Sequence, residues 1–130
     1  MEMEIISPSG KKVNALYKGF TIMTDQPKEY SGDGSAPEPF DMFLASIGTC
    51  IGINIIVFCQ KRSISTENIK LILRFVRNSK TRMIEKITIK IQIPHQFPEK
   101  YKNALIRSAD LCSVKKHIFN PPEFEIYTNT

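Results

Sequence analysis

Cysteine is scarce in this sequence: three residues in a chain of 130. An odd count at so low a density argues against a secreted scaffold stapled by disulfides. The N-terminus also lacks the basic stretch, apolar run and small-residue cleavage site of a secretory leader. A cytoplasmic chain with reduced thiols is the expectation. Disorder is ruled out as the main state, because 42% of the residues are hydrophobic and 24% charged, whereas disordered chains are poor in apolar residues. The length suits one domain covering 1–130.

Other absences narrow the chemistry. Three Cys, His95 and His117 are ligand types that zinc accepts, but no Cys-x-x-Cys or His-x-x-x-His pair occurs, so no metal site is expected. No Gly-x-Ser-x-Gly marks a serine hydrolase, and no glycine-rich loop is built to cradle phosphate. The net charge of +5 arises entirely after residue 65, since residues 1–65 hold six Lys or Arg against seven Asp or Glu. There Lys70, Arg74 and Lys90 alternate with Ile or Leu, the pattern of the outer face of a half-buried strand. No aromatic interleaves with these charges, as base stacking would require. A nucleic-acid partner is therefore not expected. Internal repeats and low-complexity tracts are absent too.

What is present reads as an α+β protein. Ser7-Pro8-Ser9-Gly10 signals a turn, Val13, Ala15 and Tyr17 alternate with polar neighbours, and after Gly19 a strand is predicted over Phe20–Thr24. Residues 31–39 form a loop inside the domain. The most apolar stretch then predicts a helix from Pro39 to about Arg62. Proline suits the first helical turn, Asp41 favours the N-terminal dipole, and Lys61 and Arg62 suit the C-terminal end. Its length approaches the ~20 residues that cross a membrane. Asp41, Ser46, Gly48, Thr49, Gly52 and Asn54 interrupt it, however, and no second such segment exists. The buried central helix of a compact protein or dimer is the expectation, with no membrane partner. Strands follow over Ile69–Val76 and Ile87–Ile93, joined by a hairpin loop at Asn78–Arg82. Pro98 opens a second helix whose stripe is Tyr101, Ala104, Leu105, Ser108 and Cys112. Ser113–Phe119 reads as further helical turns, Pro121-Pro122 ends them, and Phe124–Tyr127 is predicted as a last strand. Runs of strands and helices in this order argue α+β rather than alternating β-α units.

The cysteines differ in setting. Cys50 lies mid-helix with Ser46 and Asn54 one turn to either side on its face. Gly48 and Gly52 flank it and would let another backbone come close. Each glycine costs a helix roughly 1 kcal/mol against alanine, so the pair needs a packing or functional reason. Cys59 is nine residues on, which turns the helix to its opposite side about 13.5 Å further along. The two cannot bond within one helix, and Cys59 reads as structural. Cys112 falls where one helix ends and another begins, ahead of Lys115, Lys116 and His117. A helix start and nearby cations both favour a thiolate. Cys50 and Cys112 are thus two candidate reactive thiols. The plain alternative for each is a small apolar residue in the core or in an interhelical corner. Spacing alone does not say that they meet.

Two segments resemble a known family. Ala36-Pro37-Glu38-Pro39-Phe40-Asp41-Met42-Phe43-Leu44-Ala45-Ser46-Ile47-Gly48-Thr49-Cys50 resembles the OsmC/Ohr segment P-x-E-L-L-L-A-S-L-G-x-C. Ala109-Asp110-Leu111-Cys112-Ser113-Val114-Lys115-Lys116 resembles that family's second cysteine segment, A-x-x-C-P-V-S-K. The order of elements agrees over nearly the whole chain. The resemblance implies an OsmC-like fold, with antiparallel sheets packed around a long central helix, in an intertwined homodimer whose active sites lie between subunits. It implies a thiol-dependent peroxidase that reduces organic hydroperoxides and protects against oxidative stress. Cys50 would attack the hydroperoxide and Cys112 would close a disulfide with it. A cellular dithiol would then restore both, with no metal or organic cofactor. A protein of the same fold that binds a small hydrophobic ligand in the intersubunit pocket is the alternative.

The chain also departs from the pattern. Organic hydroperoxide reductases of this family activate the first Cys with an N-terminal Arg and a Glu. Here no Arg precedes Arg62, and Lys11, Lys12 and Lys18 are the basic residues of the matching strands. Counting back from Cys50, the family Glu falls at Phe40. Asp41 matches its neighbour and Glu38 lies two residues earlier, so these two are the carboxylates in the supporting position. Ser113 stands where the family has Pro. The resemblance therefore points to a divergent branch.

Overall fold

The computed structural model describes residues 1–129. Its contacts divide the chain into two compact units, 1–46 and 47–130. Strands β1 (Glu4–Ile6), β2 (Val13–Tyr17) and β3 (Phe20–Thr24) form a three-stranded antiparallel sheet in that order. Tyr17 pairs with Phe20, which leaves Lys18 and Gly19 as a two-residue turn with φ of 51° and 80°. Positive φ at both central residues is the hairpin turn whose twist matches that of the strands. This is the reason for Gly19.

The loop after β3 is held by a buried carboxylate. Asp25 is 1% exposed and accepts from the Ser35 hydroxyl at 2.6 Å, the Ser35 N–H at 3.1 Å and the Gln26 N–H at 2.7 Å. These bonds, led by the Ser35 hydroxyl, hold its carboxyl down to about 2 against desolvation. The Asp25 N–H donates in turn to the Pro37 carbonyl. Lys12 pairs with Asp33 across the same loop.

Helix α1 runs from Pro39 to Lys61, as its proline start and basic end predict. Arg62 closes it by donating from its guanidinium to the Phe58 carbonyl at 3.1 Å while lying over the Phe58 ring. By length and composition alone α1 could cross a membrane. In the fold its stripe Ile47, Ile51, Ile55 and Phe58 is buried, at the i, i+4, i+8, i+11 spacing of one helical face.

Strands β4 (Lys70–Arg77) and β5 (Ile84–Gln92) form a separate two-stranded hairpin. Leu71, Leu73, Ile87, Ile89 and Ile91 pack against the α1 stripe, while Lys70, Arg74 and Lys90 are exposed. The second-half charge is therefore partly the outer face of this hairpin. At its tip the Asn78 side-chain oxygen accepts from the N–H groups of Lys80 at 2.9 Å and Thr81 at 3.0 Å, an Asx turn that fixes the loop. Helices α2 (Lys102–Ala109) and α3 (Ser113–Phe119) complete the unit. Leu105 and Ala109 of α2 join the core. A short 3-10 turn, Glu99–Tyr101, precedes α2, so Pro98 opens a tight turn before the helix proper.

One expectation needs correction. Phe124–Tyr127 forms no strand: the chain after Asn120 has no regular structure among the described residues, and Phe124, Ile126 and Tyr127 are exposed. Alternation supplies a strand's faces, but only a neighbouring strand pairs its N–H and C=O groups, and none reaches this segment. The glycines beside Cys50 also differ from each other. A Cβ at Gly48 would stand 3.4 Å from the Leu73 methyls of the hairpin, an ordinary van der Waals contact. A Cβ at Gly52 would meet nothing within 4 Å.

Candidate functional site

Cys50 and Cys112 come together within the second unit. Cys50 and Asn54, one turn apart on α1, meet the α2–α3 junction. There the Asn54 side-chain amide donates to the Leu111 carbonyl at 2.6 Å. That bond ties the residue before Cys112 to the turn of α1 that follows Cys50. Cys112 then caps α3: its sulfur accepts from the Lys115 N–H at 3.4 Å. A sulfur at this position serves as a serine or aspartate oxygen would, satisfying an N–H that has no partner in the helix.

The two thiols have different access. Cys112 is 0% exposed, whereas Cys50 is half-buried. The Cys50 sulfur lies 3.7 Å from the Ser113 hydroxyl. The Val114 N–H, the Cys112 thiol and the Ser113 N–H also favour its charged form. With the Val114 N–H the largest influence, these donors outweigh desolvation and bring the Cys50 thiol from 9.0 down to about 7. The donors at the start of α3 therefore act on Cys50, across from them. Of the three basic residues expected to favour a thiolate at Cys112, Lys115 is paired with Asp110. His117 Nδ1 donates to the Ser113 carbonyl at 2.6 Å.

Cys59 lies on the opposite side of α1, as its nine-residue offset requires. It is 0% exposed, and burial pushes its thiol up despite Arg62 nearby. All three cysteines are free thiols. Glu38 and Asp41 sit in the first unit at the start of α1. The Asp41 carboxylate accepts from the Glu38 N–H at 3.2 Å, and the Met42 N–H donates to the Glu38 carbonyl at 3.3 Å. This is end-capping of the helix. Among the described residues no group of three or more His, Cys, Asp or Glu is placed to hold a metal ion.

Sequence reasoning passed over two of these contacts. The face shared by Cys50 and Asn54 was visible from spacing, but the Leu111 carbonyl as Asn54's partner was not. Ser113 stood out only as a replacement for proline, and its hydroxyl at Cys50 depends on how α3 docks.

Known proteins share this fold. A protein of Psychrobacter arcticus 273-4, provisionally described as an osmotic stress induced and detoxification response protein, superposes with a TM-score of 0.73 at 20% identity, over 88% of this chain and 85% of that one. A hypothetical protein from Aquifex aeolicus VF5 superposes with a TM-score of 0.65 at 21% identity, over 94% of this chain and 89% of that one. At these identities the likeness is one of fold. No curated protein matches the sequence. The family model described as OsmC-like protein matches residues 32–127, which takes in both cysteine segments. The chain belongs to the OsmC-like family.

Proposed function

We propose that this protein is a thiol-dependent peroxidase that reduces organic hydroperoxides as part of a stress response. One observation carries the reading: the half-buried Cys50 sulfur lies 3.7 Å from the hydroxyl of Ser113, the residue that follows the buried thiol Cys112, and the donors at this helix start bring Cys50 down to about 7. A thiol ionised near neutral pH is the nucleophilic form, and a second cysteine within reach is the ordinary partner of a sulfenic acid.

The steps balance without metal or organic cofactor. The Cys50 thiolate attacks the terminal oxygen of R–O–O–H. An S–O bond forms, the O–O bond breaks, and the alkoxide leaves and takes a proton from water to become the alcohol. Cys50 is now a sulfenic acid, two electrons poorer. The Cys112 sulfur attacks it, an S–S bond forms, and hydroxide leaves with the Cys112 proton as water. A cellular dithiol reduces the disulfide by exchange and becomes a disulfide itself. The stress-response context draws on the family and on the description of the Psychrobacter neighbour.

The active form in this proposal is a homodimer. An outer face of α1 carries Ile53, 53% exposed, and Ile56, 39% exposed, beside Gly52, whose Cβ position is open. A small residue beside two exposed isoleucines lets a second copy of the helix approach closely. The test of the activity is consumption of cumene hydroperoxide with a dithiol reductant, followed by stopped flow. Turnover that Cys50→Ser abolishes is the expected result; no turnover, or full turnover by Cys50→Ser, overturns the proposal.

A second reading, a hydrophobic-ligand carrier, has one observation in its favour. A cavity of about 260 Å³ is lined by Ile51, Ile89, Ile91 and Ile106 together with Arg107, Asp110 and Lys115. Native mass spectrometry of the purified protein distinguishes the readings: a retained ligand together with absent turnover favours the carrier.

A further inference from the structure

We propose that the Ser113 hydroxyl is the side-chain donor that holds the Cys50 sulfur as a thiolate and fixes its direction of attack. The inference rests on the peroxidase reading for its catalytic meaning, though not for its geometry.

Ser113 Oγ stands 3.7 Å from Cys50 Sγ, a normal reach for a bond to the large sulfur atom. Ser113 is exposed and opens α3 directly after the Cys112 cap, so its position is set by that cap. The groups that bear on Cys50 from α3 are the N–H groups of Ser113 and Val114, the Ser113 hydroxyl and the Cys112 thiol. On α1, the Asn54 amide is committed to the Leu111 carbonyl. Of the nearby charged side chains, Lys115 is paired with Asp110, and His117 is bonded to the Ser113 carbonyl. The influences that lower the Cys50 thiol are all hydrogen bonds, led by the Val114 N–H; Lys116 is the remaining cation of α3.

Two of those donors are side chains, and they differ in persistence. The Cys112 proton is lost when the disulfide closes. The Ser113 hydroxyl is unchanged through the cycle and meets the sulfur again when the dithiol has restored it. A hydroxyl that donates to the thiolate also occupies one side of the sulfur and leaves the open side for the hydroperoxide oxygen. No proton needs to leave Ser113 in any step, so its role is to activate and position.

The test measures the pH midpoint for alkylation of Cys50 by iodoacetamide, read residue by residue by mass spectrometry. Wild type, Ser113→Ala and Ser113→Thr are compared, with circular dichroism as the folding control. A hydrogen bond to a charged group predicts that Ser113→Ala raises the midpoint by roughly one pH unit, while Ser113→Thr, which keeps the hydroxyl, restores it. With cumene hydroperoxide, kcat/KM of Ser113→Ala at pH 7 should fall about fivefold, the loss of thiolate that such a shift implies, and should approach wild type at high pH. An unmoved midpoint in Ser113→Ala overturns the assignment, even if the protein is an active peroxidase. A raised midpoint with no hydroperoxide turnover by wild type leaves Ser113 as the thiolate donor and rejects the peroxidase reading.

Discussion

The Asn54 side chain reaches from α1 to the Leu111 carbonyl, 2.6 Å away and 57 positions along the chain. Asn54 is one turn beyond Cys50, and Leu111 immediately precedes Cys112. A single hydrogen bond thus sets how the segment bearing the second thiol meets the helix bearing the first. Replacing Asn54 with Ala removes the donor and leaves the Leu111 carbonyl to water. A loss of about 1 kcal/mol in denaturant unfolding is expected, as for a typical intramolecular hydrogen bond. Closure of the Cys50–Cys112 disulfide should slow in the same variant, measured by quenching the oxidised protein at intervals. Unchanged stability together with unchanged closure would remove Asn54 from the site.

The three thiols should react with iodoacetamide in a fixed order. Cys50, at about 7 and half-buried, should be alkylated first, its rate rising with pH and reaching half its limit near pH 7. Cys59, buried and shifted upward, should stay protected until the fold opens. The sign of the linkage follows. The folded state favours the Cys50 thiolate, so this group adds nothing to stability well below pH 7, adds progressively between 7 and its ordinary 9.0, and gives its full contribution above that. Peptide-level mass spectrometry over pH 5–9 reads the order directly. Early loss of the Cys59 thiol in folded protein would contradict it.

The exposed face of α1 makes its own prediction. A charge placed at Ile53 or Ile56 would be desolvated against a partner helix but tolerated in an isolated chain. Ile53→Glu should therefore convert a dimer to a monomer in sedimentation velocity while the far-ultraviolet spectrum is kept. A wild type that sediments as a monomer at micromolar concentration removes this part of the proposal.

Much of the fold was legible because its elements carry strong local signals. Pro39 and Lys61 bracket α1 in composition as they do in space. The alternation Ile87, Ile89, Ile91 marks β5, although β5 begins three residues earlier at Ile84. The part that failed, Phe124–Tyr127, has a strand's alternation but depends on a partner that local sequence does not name. The site follows the same division. Helical phase alone separates Cys59 from Cys50. Pairing Cys50 with Cys112 needed the family resemblance, because the two lie 62 positions apart and the contact is made by the docking of α3. Asp41 and Glu38 match the family's acidic segment, and here the Asp41 carboxylate accepts from the Glu38 N–H while the Glu38 carbonyl accepts from the Met42 N–H at the start of α1. Asp25, the most deeply buried charge, gave no sign in sequence because its partners Ser35 and Gln26 are ordinary loop residues.

The central claim is that Cys50 and Cys112 form one redox pair, and the most direct measurement is disulfide mapping after a single oxidation. Reduced protein is treated with one equivalent of cumene hydroperoxide, free thiols are blocked, and linked peptides are identified by mass spectrometry. The account predicts one intramolecular Cys50–Cys112 disulfide, a free Cys59, and no such product in Cys50→Ser. Three free thiols after exposure to the hydroperoxide, or a disulfide formed as readily without Cys50, would contradict it.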